Sequence, residues 1–162
     1  MKTAVACIFL LMLGGGQMNQ VFGKEASEKK VNHYSFKLPV GYISKDITPP
    51  MMDFELIEIH KAKSHKTKLV LYFGNNPSFP KFKWDTSPME EKDGNRTRRS
   101  FGYRESDGAM EGVLIFTGLS YRGSNQSPYT QIHYFASGVD KNSAGELSGI
   151  IASLKVVEPN LN

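Results

Sequence analysis

From Tyr34 onward, apolar and polar residues alternate in short runs, and the alternation predicts strands. Tyr34, Phe36 and Leu38 interleave with His33, Ser35 and Lys37, which makes a strand with one buried face. Pro39 stops it and Gly41 permits a turn. Residues 42–47 form a second short strand or an extended edge, closed by Pro49 and Pro50, which cannot donate ladder hydrogen bonds. In residues 52–62, Phe54 and Leu56 share one parity and Ile57 and Ile59 the other. A bulge between Leu56 and Ile57 would put all four on one face. A helix competes there, and a strand is preferred. Residues 61–68 read as a hairpin turn, and residues 67–73 as a central strand that is apolar on both faces.

Residues 74–80 are rich in glycine, asparagine and proline and form a shaped loop, followed by Phe79, Phe82 and Trp84 at short intervals. Those rings either fold back over an open sheet face or form an exposed recognition loop. Residues 85–95 are polar. Residues 97–104 and 110–117 read as a hairpin across the tight turn at Asp107-Gly108. Residues 120–128 are a loop, and residues 129–137 are another strand. The period then changes. Ser143 and Glu146 fit a capping box, with Ser143 as the cap. Leu147, Ile150, Ile151 and Leu154 recur as one helical stripe, and Pro159 lies past its end.

The sum is an α+β domain of five to seven strands, in a single, mostly antiparallel sheet with a C-terminal helix packed on it. A β-sandwich or barrel is the rival. Three strands are apolar on both faces, and one helix covers one face. Residues 75–93, an unseen second helix or a partner chain must cover the other.

The chain opens differently. Lys2 precedes an apolar run over residues 4–13, then Gly14 to Gly16, with Val21 and Gly23 placed for a signal-peptidase cut before Lys24. Ten apolar residues make a helix of about 15 Å, against a hydrocarbon core of about 30 Å. Residues 1–23 therefore read as a cleaved signal peptide, residues 24–32 as a flexible lead-in, and residues 33–158 as one globular domain. Cleavage leaves 139 of the 162 residues, enough for a core without staples. The single cysteine, Cys7, leaves with the signal. The mature chain has no disulfide, no thiol chemistry and no cysteine ligands for a metal. The expected location is periplasmic or extracellular, with no membrane span.

With Lys2 gone, 19 Lys and Arg face 16 Asp and Glu, a mild excess that favours solubility. Two clusters exceed it: Lys61, Lys63, Lys66 and Lys68 with His60 and His65 among them, and Arg96, Arg98, Arg99 and Arg104. They read as a charged turn and a solvated strand face, or as a docking surface for an acidic partner. No nucleic-acid motif accompanies them.

The opening Tyr34-x-Phe36-x-Leu38-Pro39-x-Gly41-Tyr42 resembles the F-x-L-P-x-G-W start of PsbP/Mog1-like domains, with Tyr42 at the tryptophan position. The closing Ile150-Ile151-x-Ser153-Leu154 is similar to their C-terminal helix. These matches cover under a fifth of the chain. The resemblance implies a PsbP/Mog1-like sandwich. It also implies a structural or binding role, as in exported bacterial proteins, photosystem-associated lumenal proteins and immunity proteins that block secreted toxins. It implies no catalytic residues.

Catalytic, cofactor and metal motifs do not emerge. There is no H-E-x-x-H and no G-x-S-x-G. His60 or His65 with Glu58 has poor metal spacing. Ser120, His133 and Asp140 make a formal triad that no local pattern recommends. Glu55 and Glu58 would face opposite ways without a bulge. The expectation is an exported, soluble protein-binding domain, an immunity or inhibitor protein that blocks a secreted toxin. A small-ligand carrier or envelope accessory protein, a periplasmic hydrolase and a homodimer stay open. The candidate partner-binding residues are Phe79, Phe82 and Trp84 as anchors, with Lys63, Lys66, Arg96, Arg98 and Arg104 around them.

Overall fold

The computed structural model describes residues 26–119 and 129–157. The proposed signal peptide and Ser120 lie outside them. Among the described residues the chain forms β1 (Ser27–Val31), β2 (Tyr34–Leu38), β3 (Tyr42–Asp46), β4 (Glu55–Lys61), β5 (Ser64–Phe73), β6 (Met89–Asp93), β7 (Arg96–Arg104), β8 (Ala109–Phe116), β9 (Gln131–Ser137), α1 (Lys141–Ala152) and β10 (Lys155–Val156). The fold is α+β with antiparallel pairing and one C-terminal helix packed against the sheets, as the periodicity predicts.

There are two sheets where one was expected. Seven strands run in the order β3-β4-β5-β9-β8-β7-β6, and β1-β2-β10 form a separate sheet. The chain passes between them at Pro39–Gly41, where the Tyr42 N–H donates to the Pro39 carbonyl at 3.1 Å and Gly41 sits at φ 85°. That left-handed conformation favours glycine.

The stretch expected to be a loose lead-in contains β1, paired residue by residue with β2 from Ser27↔Leu38 to Val31↔Tyr34. β6 was likewise absent from the sequence reading. Both are almost wholly exposed edge strands. Backbone pairing holds them, so they carry no apolar alternation to read. In β4 no bulge separates Leu56 from Ile57. Ile57 and Ile59 pair with Leu71 and Leu69 on the core face, and Leu56 lies on the other. The irregularity falls instead between His60 and Lys61. The hairpin turn narrows to Ala62 and Lys63.

The core lies between the large sheet and a layer made of α1 and β2. Leu69, Leu71, Ile132 and Tyr134 are fully buried from the sheet, and Tyr34, Leu147 and Ile150 from the layer above. Tyr134 fits because Gly112 opposite has no side chain. A Cβ there would lie 2.7 Å from the Arg99 carbonyl and closer still to the Tyr134 hydroxyl.

The cap of α1 corrects the capping-box reading. Asp140 is the N-cap, accepting the Ser143 N–H at 2.7 Å. Glu146 turns outward. It accepts the Tyr42 hydroxyl at 2.6 Å and pairs with Lys61 at 2.7 Å. Burial, then the hydrogen bond to that carboxylate, pushes the Tyr42 phenol well above its ordinary range. No helix among the described residues is long and apolar enough to cross a membrane.

Candidate functional site

On the second face of the large sheet, residues 79–84 lie over β7, β8 and β9, and one carboxylate holds that segment down. Glu111, on β8, is completely buried. Its Oε1 accepts the Lys81 N–H and lies 2.7 Å from His133 Nε2. Its Oε2 accepts the Phe82 N–H at 3.0 Å and the Trp84 Nε1–H at 2.7 Å. Burial pushes the Glu111 carboxyl up, but these donors together outweigh it and hold it below its ordinary value. Burial lowers the His133 imidazole, and the neighbouring carboxylate opposes that without reversing it. A charge this deep is tolerated because every nearby donor is aimed at it.

The three rings follow the segment down onto the sheet. Trp84 stacks on Phe101 at 4.7 Å between centroids, with planes 3° apart. Phe79 lies 5.5 Å from Phe101 and 5.6 Å from His133. Phe82 meets Phe135 edge-on at 6.4 Å. Of the two placements considered for these rings, they take the one folded back over the sheet. Arg104 belongs to the same assembly. Its guanidinium lies 4.3 Å from the centre of the Trp84 ring, grips Asp107 at 2.8 and 2.6 Å and donates to the Lys83 carbonyl at 2.6 Å.

His133 thus pairs with Glu111 and not with the acid of the formal triad, because Asp140 caps the helix. Glu111 carried a readable mark: it is the lone ionisable residue in the apolar run from Ala109 to Phe116. Glu55 and Glu58 fall on opposite faces of β4, and Glu58 is engaged by Lys68 and His60, each at 3.3 Å.

The lysine cluster is spread around the exposed β4–β5 turn. Lys63 and Lys66 are exposed there. Lys61 and Lys68 are drawn off to Glu146 and Glu58. The arginine cluster divides by strand parity. Arg99 faces away from the helix and pairs with Glu90 at 2.7 Å. Arg96 and Arg98 lie opposite Phe116 and Leu114 on the helix side. There Arg98 donates to the Tyr134 hydroxyl at 3.1 Å. Arg96 reaches the Ala152 and Leu154 carbonyls at 3.5 Å each and Asp93 at 3.3 Å. Because α1 carries no basic residue in its last turn, Arg96 supplies the positive charge that a helix C-terminus favours.

Arg96 also borders the concavity that makes the best candidate site. A groove of about 570 Å³ runs between the β6–β7 hairpin and the end of α1, lined by Arg96, Asp93, Phe116, Lys37, Lys155 and Val156 among others. A recess of about 70 Å³ beside it shares Asp93 and Arg96 and adds Arg98 and Glu91. Lys37 and Lys155 were not singled out from sequence. They lie far apart along the chain, and their meeting follows from the pairing of β2 with β10. The opposing acids are exposed: Asp93 is 84 %, Glu91 70 % and Glu28 45 % accessible in their pairs with Arg96, Arg98 and Lys155. Such pairs hold weakly against a competing anion.

Neither family models nor curated proteins nor solved structures provide a match to this chain.

Proposed function

We propose that this chain is an exported protein-binding domain of PsbP/Mog1-like architecture that takes an acidic segment of another protein in the groove beside α1, and so blocks that protein. The observation that carries the reading is the convergence of Lys37, Arg96 and Lys155 on one concavity of about 570 Å³, within the usual range for a binding cleft. Export is supported by the charged, apolar and small-residue order of residues 1–23. The architecture is supported by the opening motif, which runs from β2 to the first residue of β3, and the closing motif, which spans the end of α1 and the two residues after it. An inhibitor needs a recognition surface and no chemistry, and the buried histidine–carboxylate pair is already occupied in holding the aromatic segment.

The test is affinity capture from the envelope fraction of the native organism with three baits: the native chain, a Lys37→Glu/Lys155→Glu variant and a Lys63→Glu/Lys66→Glu variant. The groove variant is expected to lose the captured protein by at least about tenfold, roughly 1.4 kcal/mol. The turn variant should retain it, and the captured protein should lose its activity when the native chain is added. Equal capture by the native and groove-variant baits, or loss confined to the turn variant, would sink the reading.

A further inference from the structure

We propose that the groove receives its partner as an added strand, an extended acidic segment that pairs with the open edge of β10. This rests on the groove reading above and names its mode of recognition. The register of the small sheet shows which backbone groups are offered. The Val157 N–H donates to the His33 carbonyl at 2.7 Å, so those two residues form a hydrogen-bonded pair of the antiparallel ladder. Such pairs alternate with non-bonded ones. Lys155, opposite Ser35, therefore bonds inward as well, and Val156, opposite Tyr34, turns its N–H and C=O away from β2. Because β10 ends the order β1-β2-β10, those groups point away from β2, across an edge that no other described strand pairs with.

The other three edges among the described residues are guarded. β1 carries Glu28, Lys29 and Lys30, and β6 carries Glu90, Glu91, Lys92 and Asp93, all exposed, while β3 lies between Pro39 and Pro49. Charges and prolines are the usual means of preventing strand addition. The edge of β10 lies instead in a concavity, with the half-buried Val156 as apolar lining above Phe116 and Leu154, and Lys37, Lys155 and Arg96 around it. An extended segment sends alternate side chains to opposite sides. One set would meet the cations while the other meets the apolar lining, and the backbone would bond Val156. Acidic side chains are the complement of this lining, and one that displaces the exposed Asp93 gains Arg96.

The probe is a seven-residue peptide of alternating glutamate and valine, blocked at both ends and followed by fluorescence anisotropy. It is expected to bind, to protect the Val156 amide from hydrogen exchange, and to lose at least about tenfold in affinity when lysine replaces glutamate. N-methylation of one alternate set of residues should abolish binding, whereas N-methylation of the other set should leave it intact, because only one set of N–H groups faces β10. Val156→Pro removes an outward N–H at an edge, where proline is tolerated. With an unchanged melting temperature it should lose at least about tenfold in peptide affinity. Equal tolerance of both N-methylated sets overturns strand addition. Failure of the peptide to bind overturns it too, and leaves the groove reading in place if the Lys37→Glu/Lys155→Glu variant still loses its captured protein. If that variant also behaves as the native chain does, both fall.

Discussion

Glu111 shows how much one residue can organise. Removing its carboxylate by Glu111→Ala leaves the Lys81, Phe82 and Trp84 N–H groups and His133 without their common partner. Breaking a buried pair in this way costs roughly 3–5 kcal/mol. The expected outcome is a lower urea midpoint and a red-shifted Trp84 emission, as the indole leaves Phe101 for water. The same pair sets an acid limit. His133 titrates below its ordinary 6.5, so as pH falls through 6.5 the unfolded chain takes up a proton that the fold resists, and stability declines. Glu111, held below its ordinary 4.5, adds a second loss as pH falls below that value. A denaturation series from about pH 8 to about pH 3 should therefore show falling stability, and the Glu111→Ala chain should fall less steeply below 4.5, where the other lowered carboxylates still contribute. Gly112→Ala is a separate residue-scale test. A methyl group has no room against the Arg99 carbonyl and the Tyr134 hydroxyl, and overpacking of this kind costs about 1–3 kcal/mol, read as a drop in melting temperature. The mark of Glu111 in the sequence was its solitude among apolar residues. The crowding at Gly112 left none, since it arises from a tyrosine on the neighbouring strand.

Among the elements, those that bury a face were readable and those that do not were not. β5, β8, β9 and α1 show as apolar runs or a helical stripe because at least one side of each is sealed against the core. β1 and β6 contribute backbone bonds and little burial, so nothing in their side chains announces them. The helix cap failed for a related reason. Ser143 and Glu146 satisfy a local spacing rule, but Tyr42 and Lys61 compete for the glutamate, and Asp140 lies one turn earlier with its carboxylate on the Ser143 N–H. Asp140→Ala should accordingly cost about 1 kcal/mol in chemical denaturation, the usual range for losing such a cap being about 0.5–2. Leu154→Ala should cost more, about 2–5 kcal/mol by the same measurement, because that side chain is buried where α1 hands over to β10.

For the molecule as a whole, the class of fold was visible and its division into two sheets was not. Hairpin spacing reveals neighbours in sequence, whereas the pairing of β2 with β10 joins segments from opposite ends of the described chain. The same blindness hid the groove, whose Lys37 and Lys155 become neighbours only through that pairing. With Cys7 as its single cysteine, the chain can form no internal disulfide. Its melting temperature is expected to be the same with and without reductant, and under the proposed export N-terminal sequencing is expected to begin at Lys24.

The pairing of β2 with β10 ties an early and a late segment of the described chain together. β2 shares one core cluster with Leu147, Ile150 and Leu154, and the Lys37 N–H finds its acceptor in Ser153. A chain that lacks those late residues leaves that part of the cluster uncovered. Under the export proposed above, the same dependence keeps an incomplete chain open for threading through a translocation pore.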